Sequence, residues 1–383
     1  MDDRRTAIRT LLLAVASFAA FRGALFVFDY VGMHLVPRDL GVCRPQWDPF
    51  GAEHPFWNGF FRWDGGWYRN IVLNGYRYRP GAPSSVAFYP LFPYLARWLG
   101  VVLGSPFAAG LVISNLATIG GLYYLLRLGQ DRFDLAVAER AAVLLLVFPT
   151  SFFLSAFYTE GLFFVFAAGS MFYFYRGRYV TSGALGGLSM LARSSGLVLF
   201  LALAADLAFS LYKKRTPFRW QMLGLFLIPL ALALFMAFLN HEVGDPLAFM
   251  KVMSNWGRVR SLPWVPLIDA LKKLTPLLPE HFDDAQEIVD ALTAIGFLAI
   301  GVAMVREKYP VAMSVMVLAG VLMPLSTYVL ASMGRYVLAL FPAFYFLGKK
   351  SKEHPHLERF LLFASAFFLA LYGIRFIRCG FAG

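Results

Sequence analysis

The residues of this chain that could do chemistry are a few carboxylates and arginines set among aromatic and small residues. Asp64 stands in the run Arg62-Trp63-Asp64-Gly65-Gly66-Trp67-Tyr68. Trp67, Tyr68, Ile71 and Val72 recur at helical spacing, and Gly75 falls where a left-handed residue would close the helix. Asp64 then has two readings. It is an N-cap, or it is a carboxylate held by a short helix in the headgroup layer and placed to act as a general base. Glu160, in Tyr158-Thr159-Glu160, falls in the first turn of an apolar helix, where the dipole favours an acid. Its other reading is a side chain facing a polar cavity, because ionisable groups are costly at hydrocarbon depth. Arg193, midway along an apolar stretch, either snorkels from a helix end or binds an anion. Arg335, beside Tyr336, carries the same ambiguity, and Gly244-Asp245-Pro246 is first of all a turn.

The elements that must position these residues are dictated by composition. Of 383 residues, 59% are apolar or aromatic and only 15% are charged, and the mean hydropathy is +0.61. Water-soluble domains carry about a quarter charged residues, so the chain is expected to be an all-α polytopic membrane protein. The net charge of +12 forms no continuous basic stripe or nucleic-acid module, so no nucleic-acid partner is expected and the basicity is assigned to membrane topology. Leu11 to Val31, preceded by Arg4, Arg5 and Arg9, is expected to be a retained first span with a cytoplasmic N-terminus.

The segment Val86 to Leu103 decides the parity of everything after it. Pro90, Pro93 and Arg97 interrupt it, and if it does not cross, Arg127, Arg132 and Arg140, then Arg176 and Arg178, Lys213 to Arg219, Arg306 and Lys308, and Lys349 to Arg359 all fall in cytoplasmic turns. If it crosses, all of them move outside. The expectation is therefore about eleven spans, with Val86 to Leu103 in the outer interface. The whole of 1–383 forms one membrane domain, with a first outer loop over 32–104 carrying interfacial helices and a second over 240–287. Asp64, Glu160, Arg193, Asp245 and Arg335 all come to the outer side. Asn115, within a span, is expected to hydrogen-bond between helices, whereas Arg22 needs a partner or a water-filled cavity. Cys43 and Cys379 share the outer side, where a disulfide is open to them. The histidines show no metal-ligand spacing and no Asp-x-Asp motif occurs, so neither metal nor cofactor is expected.

The ordered set of motifs resembles the PIG-V-type mannosyltransferases of the GT-C class. It comprises Arg62 to Tyr68 with Asn74-Gly75-Tyr76, Val86-Ala87-Phe88-Tyr89-Pro90-Leu91-Phe92-Pro93, Phe148-Pro149-Thr150-Ser151-Phe152-Phe153 into Tyr158-Thr159-Glu160, Arg193-Ser194-Ser195-Gly196, Gly244 to Phe249, and Arg335-Tyr336 with Phe341-Pro342. The resemblance implies transfer of a sugar, mannose by family, from a polyprenyl-phosphate donor to a glycolipid, polymer or protein acceptor at the outer or lumenal face. Asp64 matches the family's catalytic base. Arg193, Arg335 and Arg62 are then candidates for the donor phosphate, and Glu160, Asp245, Tyr158, Tyr336, Trp63 and Trp67 for sugar or acceptor. Transporters or flippases of lipid-linked sugars would share the spans, but would also need polar residues along a path to the cytoplasm, where Arg22, Ser114 and Asn115 are the few in sight. A lipid phosphatase or acyltransferase would want a His-centred constellation, and the outer histidines are scattered.

Overall fold

In hydrocarbon every backbone N–H and C=O must find a partner within its own segment, and the apolar runs of this chain answer with helices. A computed structural model describes residues 2–37, 48–51, 53–274 and 282–382. Regular structure among them is helical, apart from an isolated antiparallel bridge between Arg260 and Thr327. In chain order the helices are α1 (Asp2–Leu35), α2 (Pro55–Asn58), α3 (Asp64–Asn74), α4 (Leu91–Leu103), α5 (Pro106–Arg132), α6 (Leu135–Val147), α7 (Glu160–Tyr175), α8 (Tyr179–Ala192) and α9 (Gly196–Tyr212). There follow α10 (Leu227–Val243), α11 (Ala248–Lys251), α12 (Val265–Lys272), α13 (Phe282–Arg306), α14 (Val311–Leu325), α15 (Met333–Leu338), α16 (Pro342–Glu353) and α17 (Pro355–Ile377).

Among the described residues, five segments are long and apolar enough to cross a membrane: Arg5–Leu35, Pro106–Arg132, Trp220–Val243, Ala285–Arg306 and Pro355–Ile377. A helix overlaps each of the other expected spans as well, but α6 to α9, α14 and α16 run only 12 to 17 residues. The segment Val86 to Leu103 is interrupted at Pro90, as expected, but not at Pro93 or Arg97, which lie within α4. Pro90 stands just before α4 and Pro93 in its first turn, where no intrahelical N–H bond is lost. One side of α4 packs Phe92 and Ala96 inward, while Trp98, Val101 and Val102 stay exposed.

Close helix approach relies on small residues, as it does in lipid-facing bundles. A Cβ on Gly110 of α5 would come 2.1 Å from the Phe157 ring, and one on Gly121 would come 2.3 Å from Phe164 of α7. At one end of the bundle, ion pairs gather the basic turns: Arg176 with Asp131 at 2.9 Å, Lys352 with Asp134 at 2.7 Å, and Lys350 with Glu307 at 2.7 Å. The aromatic loops lie at the other end. Phe26 of α1 meets Phe56 edge-on at 5.3 Å, and the Arg22 guanidinium lies 4.1 Å from the Phe26 ring and 4.6 Å from Phe60. The C-terminal residues return to this same end, where Phe381 packs edge-on to Trp63 at 5.2 Å. Cys379 is buried and disulfide-bonded, and Cys43 lies outside the described residues.

Candidate functional site

The site is assembled where α3, α7 and α15 begin, and each begins under constraint. Trp63, just before α3, has a positive φ of 53°, a conformation costing a bulky residue on the order of 1–3 kcal/mol. It is held there by its indole N–H, which donates to the Gly380 carbonyl at 3.2 Å. The Tyr158 hydroxyl donates to the Arg62 carbonyl at 2.7 Å, and the Phe157 N–H to the Phe60 carbonyl at 3.0 Å. These bonds lay the approach to Asp64 against the turn that leads to Glu160. Asp64 is the first helical residue of α3, and the cap position expected of it falls to Trp63, which makes no side-chain capping bond. Gly75 closes the helix at a positive φ of 72°, but with ψ at −162° it is not the left-handed residue expected there.

The turn before α7 is fastened by α5. Ser114 Oγ donates to the Tyr158 carbonyl at 3.2 Å, Thr118 Oγ1 to the Leu154 carbonyl at 2.8 Å, and Ser155 Oγ to Asn115 Oδ1 at 3.0 Å. Asn115 thus bonds to the turn before α7 and, at 2.6 Å, to the Leu111 carbonyl of its own helix, where a bond between helices was expected. Helix α15 is entered through Ser332, at φ 64°. Asp290 of α13 accepts the Met333 N–H at 2.9 Å and the Gly334 N–H at 3.4 Å on the same oxygen, Oδ1, while Thr150 Oγ1 donates to the Gly334 carbonyl at 2.9 Å. The next residue is Arg335.

Arg335 joins the two carboxylates. Its Nη1 donates to Asp64 Oδ2 and its Nε to Glu160 Oε1, which also accepts from Arg193 Nη1. The Arg335 guanidinium lies 4.6 Å from the Tyr158 ring and 5.0 Å from Phe153. Glu160 is buried, at 2% side-chain exposure, and its Oε2 has no hydrogen bond among the described residues, whereas Asp64 is 30% exposed. Burial, with Asp64 nearby, pushes the Tyr158 hydroxyl well above its ordinary value and keeps it a neutral donor.

Beside this constellation lies a cavity of about 620 Å³. Asp64, Tyr158, Arg193, Arg258, Arg335 and Tyr336 line it together with an apolar wall that includes Phe88, Phe249, Met253 and Trp256, and Trp63 borders it too. Glu160 stands behind its arginines. Three expected residues lie elsewhere. Arg62 is buried and paired with Asp48 at 2.7 Å. Trp67 sits one layer back, stacked on Phe88 at 5.8 Å. Asp245 closes its own turn, accepting the Leu247 N–H at 3.0 Å and Lys251 Nζ at 2.7 Å, and that lysine bond holds its carboxyl below the usual range. Arg258 was missed, since a lone arginine in a long loop carries no periodic signal. Among the described residues no group of three or more His, Cys, Asp or Glu side chains forms that could hold a metal ion.

A family model described as mannosyltransferase (PIG-V) matches residues 50–243, half of the chain. The chain belongs to the PIG-V mannosyltransferase family. The PIG-V match takes in Asp64, Glu160 and Arg193 and stops short of Arg258 and Arg335, which the fold brings to the same cavity. No curated protein matches the chain. Solved structures of the GT-C glycosyltransferase ArnT share the fold of this PIG-V chain. ArnT from Cupriavidus metallidurans bound to undecaprenyl phosphate is 13% identical, with a TM-score of 0.55 over 92% of this chain and 62% of that one. Its apo state gives 14% identity and a TM-score of 0.51 over 89% and 59%. The oligosaccharyltransferase of Archaeoglobus fulgidus gives 13% identity and a TM-score of 0.44 over 95% and 56%. The chain therefore spans about three fifths of the length of these proteins.

Proposed function

We propose that this PIG-V family chain transfers a sugar, mannose by family, from a polyprenyl-phosphate donor to an acceptor hydroxyl at the outer or lumenal membrane face. The observation that carries the reading is the bridge of Arg335 between Asp64 and Glu160 at the wall of the cavity. Of the two carboxylates, Asp64 is the one with access, and it gives one oxygen to Arg335 while Oδ1 carries no hydrogen bond among the described residues. The acceptor oxygen attacks the anomeric carbon, its proton passes to Asp64, and the bond from that carbon to the phosphate oxygen breaks, leaving its electron pair on the phosphate. A phosphate leaves readily, so one base suffices and the anomeric centre inverts, unlike hydrolysis with two carboxylates. The binding of undecaprenyl phosphate by a protein of like fold agrees with a lipid-linked donor.

The acceptor side draws on Tyr158, Tyr336 and Trp63, which border the cavity. Two of the polar residues that a translocation path would need, Ser114 and Asn115, are engaged in bonds to the 155–158 turn. The helices are read as eleven crossings with a cytoplasmic N-terminus, because the basic turns collect at the end of the bundle away from the cavity. Purified protein in lipid, supplied with labelled polyprenyl-phosphate mannose and membrane extract as acceptor, tests the reading. Wild type transfers label, and Asp64→Asn lowers transfer by about 10²–10⁴-fold while donor binding persists. A fully active Asp64→Asn would move the base elsewhere, and a wild type that neither binds nor transfers would remove the donor.

A further inference from the structure

Three arginines line the cavity, and two of them are already occupied. Arg335 and Arg193 face Asp64 and Glu160, so those four formal charges cancel. Arg258 differs. Its guanidinium makes no hydrogen bond or ion pair among the described residues and only stacks on Tyr336 at 5.4 Å, the ring that Arg193 approaches at 5.6 Å. The contacts thus run from Asp64 through Arg335, Glu160, Arg193 and Tyr336 to Arg258, which places the unspent cation at the far end of the constellation from the base.

The backbone around Arg258 is fixed. Its N–H donates to the Met253 carbonyl at 3.1 Å after Gly257 turns the chain at φ 70°. On the other side the Tyr328 N–H donates to the Val259 carbonyl at 2.8 Å, and the Ser261 N–H to the Ser326 carbonyl at 2.9 Å, flanking the bridge of Arg260 to Thr327. A half-buried guanidinium held at a wall of Met253, Phe249 and Trp256 is a cation without its anion, and such a group gains most from a charged partner.

We propose that Arg258 holds the phosphate of the lipid-linked donor, and of the polyprenyl phosphate left after transfer, while Arg335 and Arg193 frame the carboxylates. This rests on the glycosyl-transfer reading above. The charges balance at both ends of the reaction. Before it, the single negative charge of the phosphodiester meets the one uncompensated arginine. As the anomeric bond breaks, the phosphate takes the electron pair and a second negative charge, and the acceptor proton neutralises Asp64. That neutralisation frees Arg335 from half of its countercharge, so the filled cavity is neutral before and after transfer.

The test is binding of short-chain polyprenyl phosphate to the full-length protein in nanodiscs, for wild type, Arg258→Gln, Arg258→Lys and Asp64→Asn, with phosphatidic acid as a second probe and the melting temperature of each recorded. Arg258→Gln should weaken polyprenyl-phosphate binding by about tenfold to a hundredfold and raise the KM for donor more than it lowers kcat. Arg258→Lys should recover part of the affinity by keeping the charge, and Asp64→Asn should bind at least as tightly as the wild type, because it removes a negative charge from the cavity wall. Binding by Arg258→Gln within about twofold of wild type overturns the assignment and leaves the transfer reading standing. An equal loss of phosphatidic acid binding overturns it as well, by making Arg258 a contact for any lipid phosphate. A wild type that binds no polyprenyl phosphate removes both readings.

Discussion

At the scale of single residues, Asp64 and Glu160 are both carboxylates on Arg335, and their exposure separates their roles. Glu160 carries two guanidinium groups on one oxygen at 2% exposure. Glu160→Gln keeps an acceptor in place but leaves two buried cations facing a single carboxylate, a break that costs about 3–5 kcal/mol in comparable buried pairs. The expected outcome is a lower melting temperature and reduced transfer, but polyprenyl-phosphate binding at least as tight as in the wild type, because the cavity gains positive charge. Thermal unfolding and ligand binding on the same sample check it, and a loss of binding as deep as that of Arg258→Gln would sink the division of labour. The types and rough placement of Asp64, Glu160, Arg193 and Arg335 were legible because charges are rare in this chain and each breaks an apolar run. Their mutual pairing was not, since Asp64 and Arg335 are separated by most of the sequence and no local pattern records which arginine meets which acid. Arg62 looked equivalent to the others in sequence, yet its pairing with Asp48 takes it away from the cavity.

At the scale of elements, the site depends on how α15 is held. Asp290 takes two backbone N–H groups on one oxygen, and Thr150 takes the Gly334 carbonyl, one residue before Arg335. Asp290→Ala leaves those N–H groups unsatisfied in a buried place, at a cost of about 1–3 kcal/mol, and lets Arg335 shift off Asp64. Transfer should fall mainly through kcat, with polyprenyl-phosphate binding nearly unchanged, and Asp290→Asn should restore most of the rate because its amide oxygen can still accept both bonds. If Asp290→Ala alters only the melting temperature, Asp290 is a structural cap and does not position Arg335. Element existence was readable from apolar runs, whereas element ends followed local chemistry. Phe341-Pro342 separates α15 from α16, with Pro342 opening α16 where its missing N–H costs nothing. Helix α6 stops at Val147, just before Phe148-Pro149, since a residue preceding proline is pushed out of helical geometry. These truncations free the 148–159 and 326–332 segments to line the site, so the departures from regular spans are where the chemistry gathers.

At the scale of the whole molecule, the two chain ends lie at opposite ends of the bundle. Helix α1 has 34 residues, about 51 Å at 1.5 Å per residue, which exceeds the roughly 30 Å of a hydrocarbon core. Its second half meets the aromatic loop through Phe26 and Tyr30, while at the other end of the chain Phe381 and Ala382 border the cavity. The course of the helices from α1 to α17 is read in the proposal above as eleven crossings. In the proposed orientation the positive-inside rule is met by Lys213, Lys214 and Arg215 in the turn after α9 and by Lys349, Lys350 and Lys352 at the end of α16. Single cysteines at two exposed positions test the orientation in intact cells with a membrane-impermeant thiol reagent. Val259→Cys, beside Arg258, should be labelled without lysis, and Lys352→Cys only after the membrane is opened. The reverse pattern would place the cavity in the cytoplasm, and labelling of both without lysis would break the odd crossing number. The reversed pattern would also separate the chemistry at Asp64 from the membrane face on which a lipid-linked donor is proposed to be used.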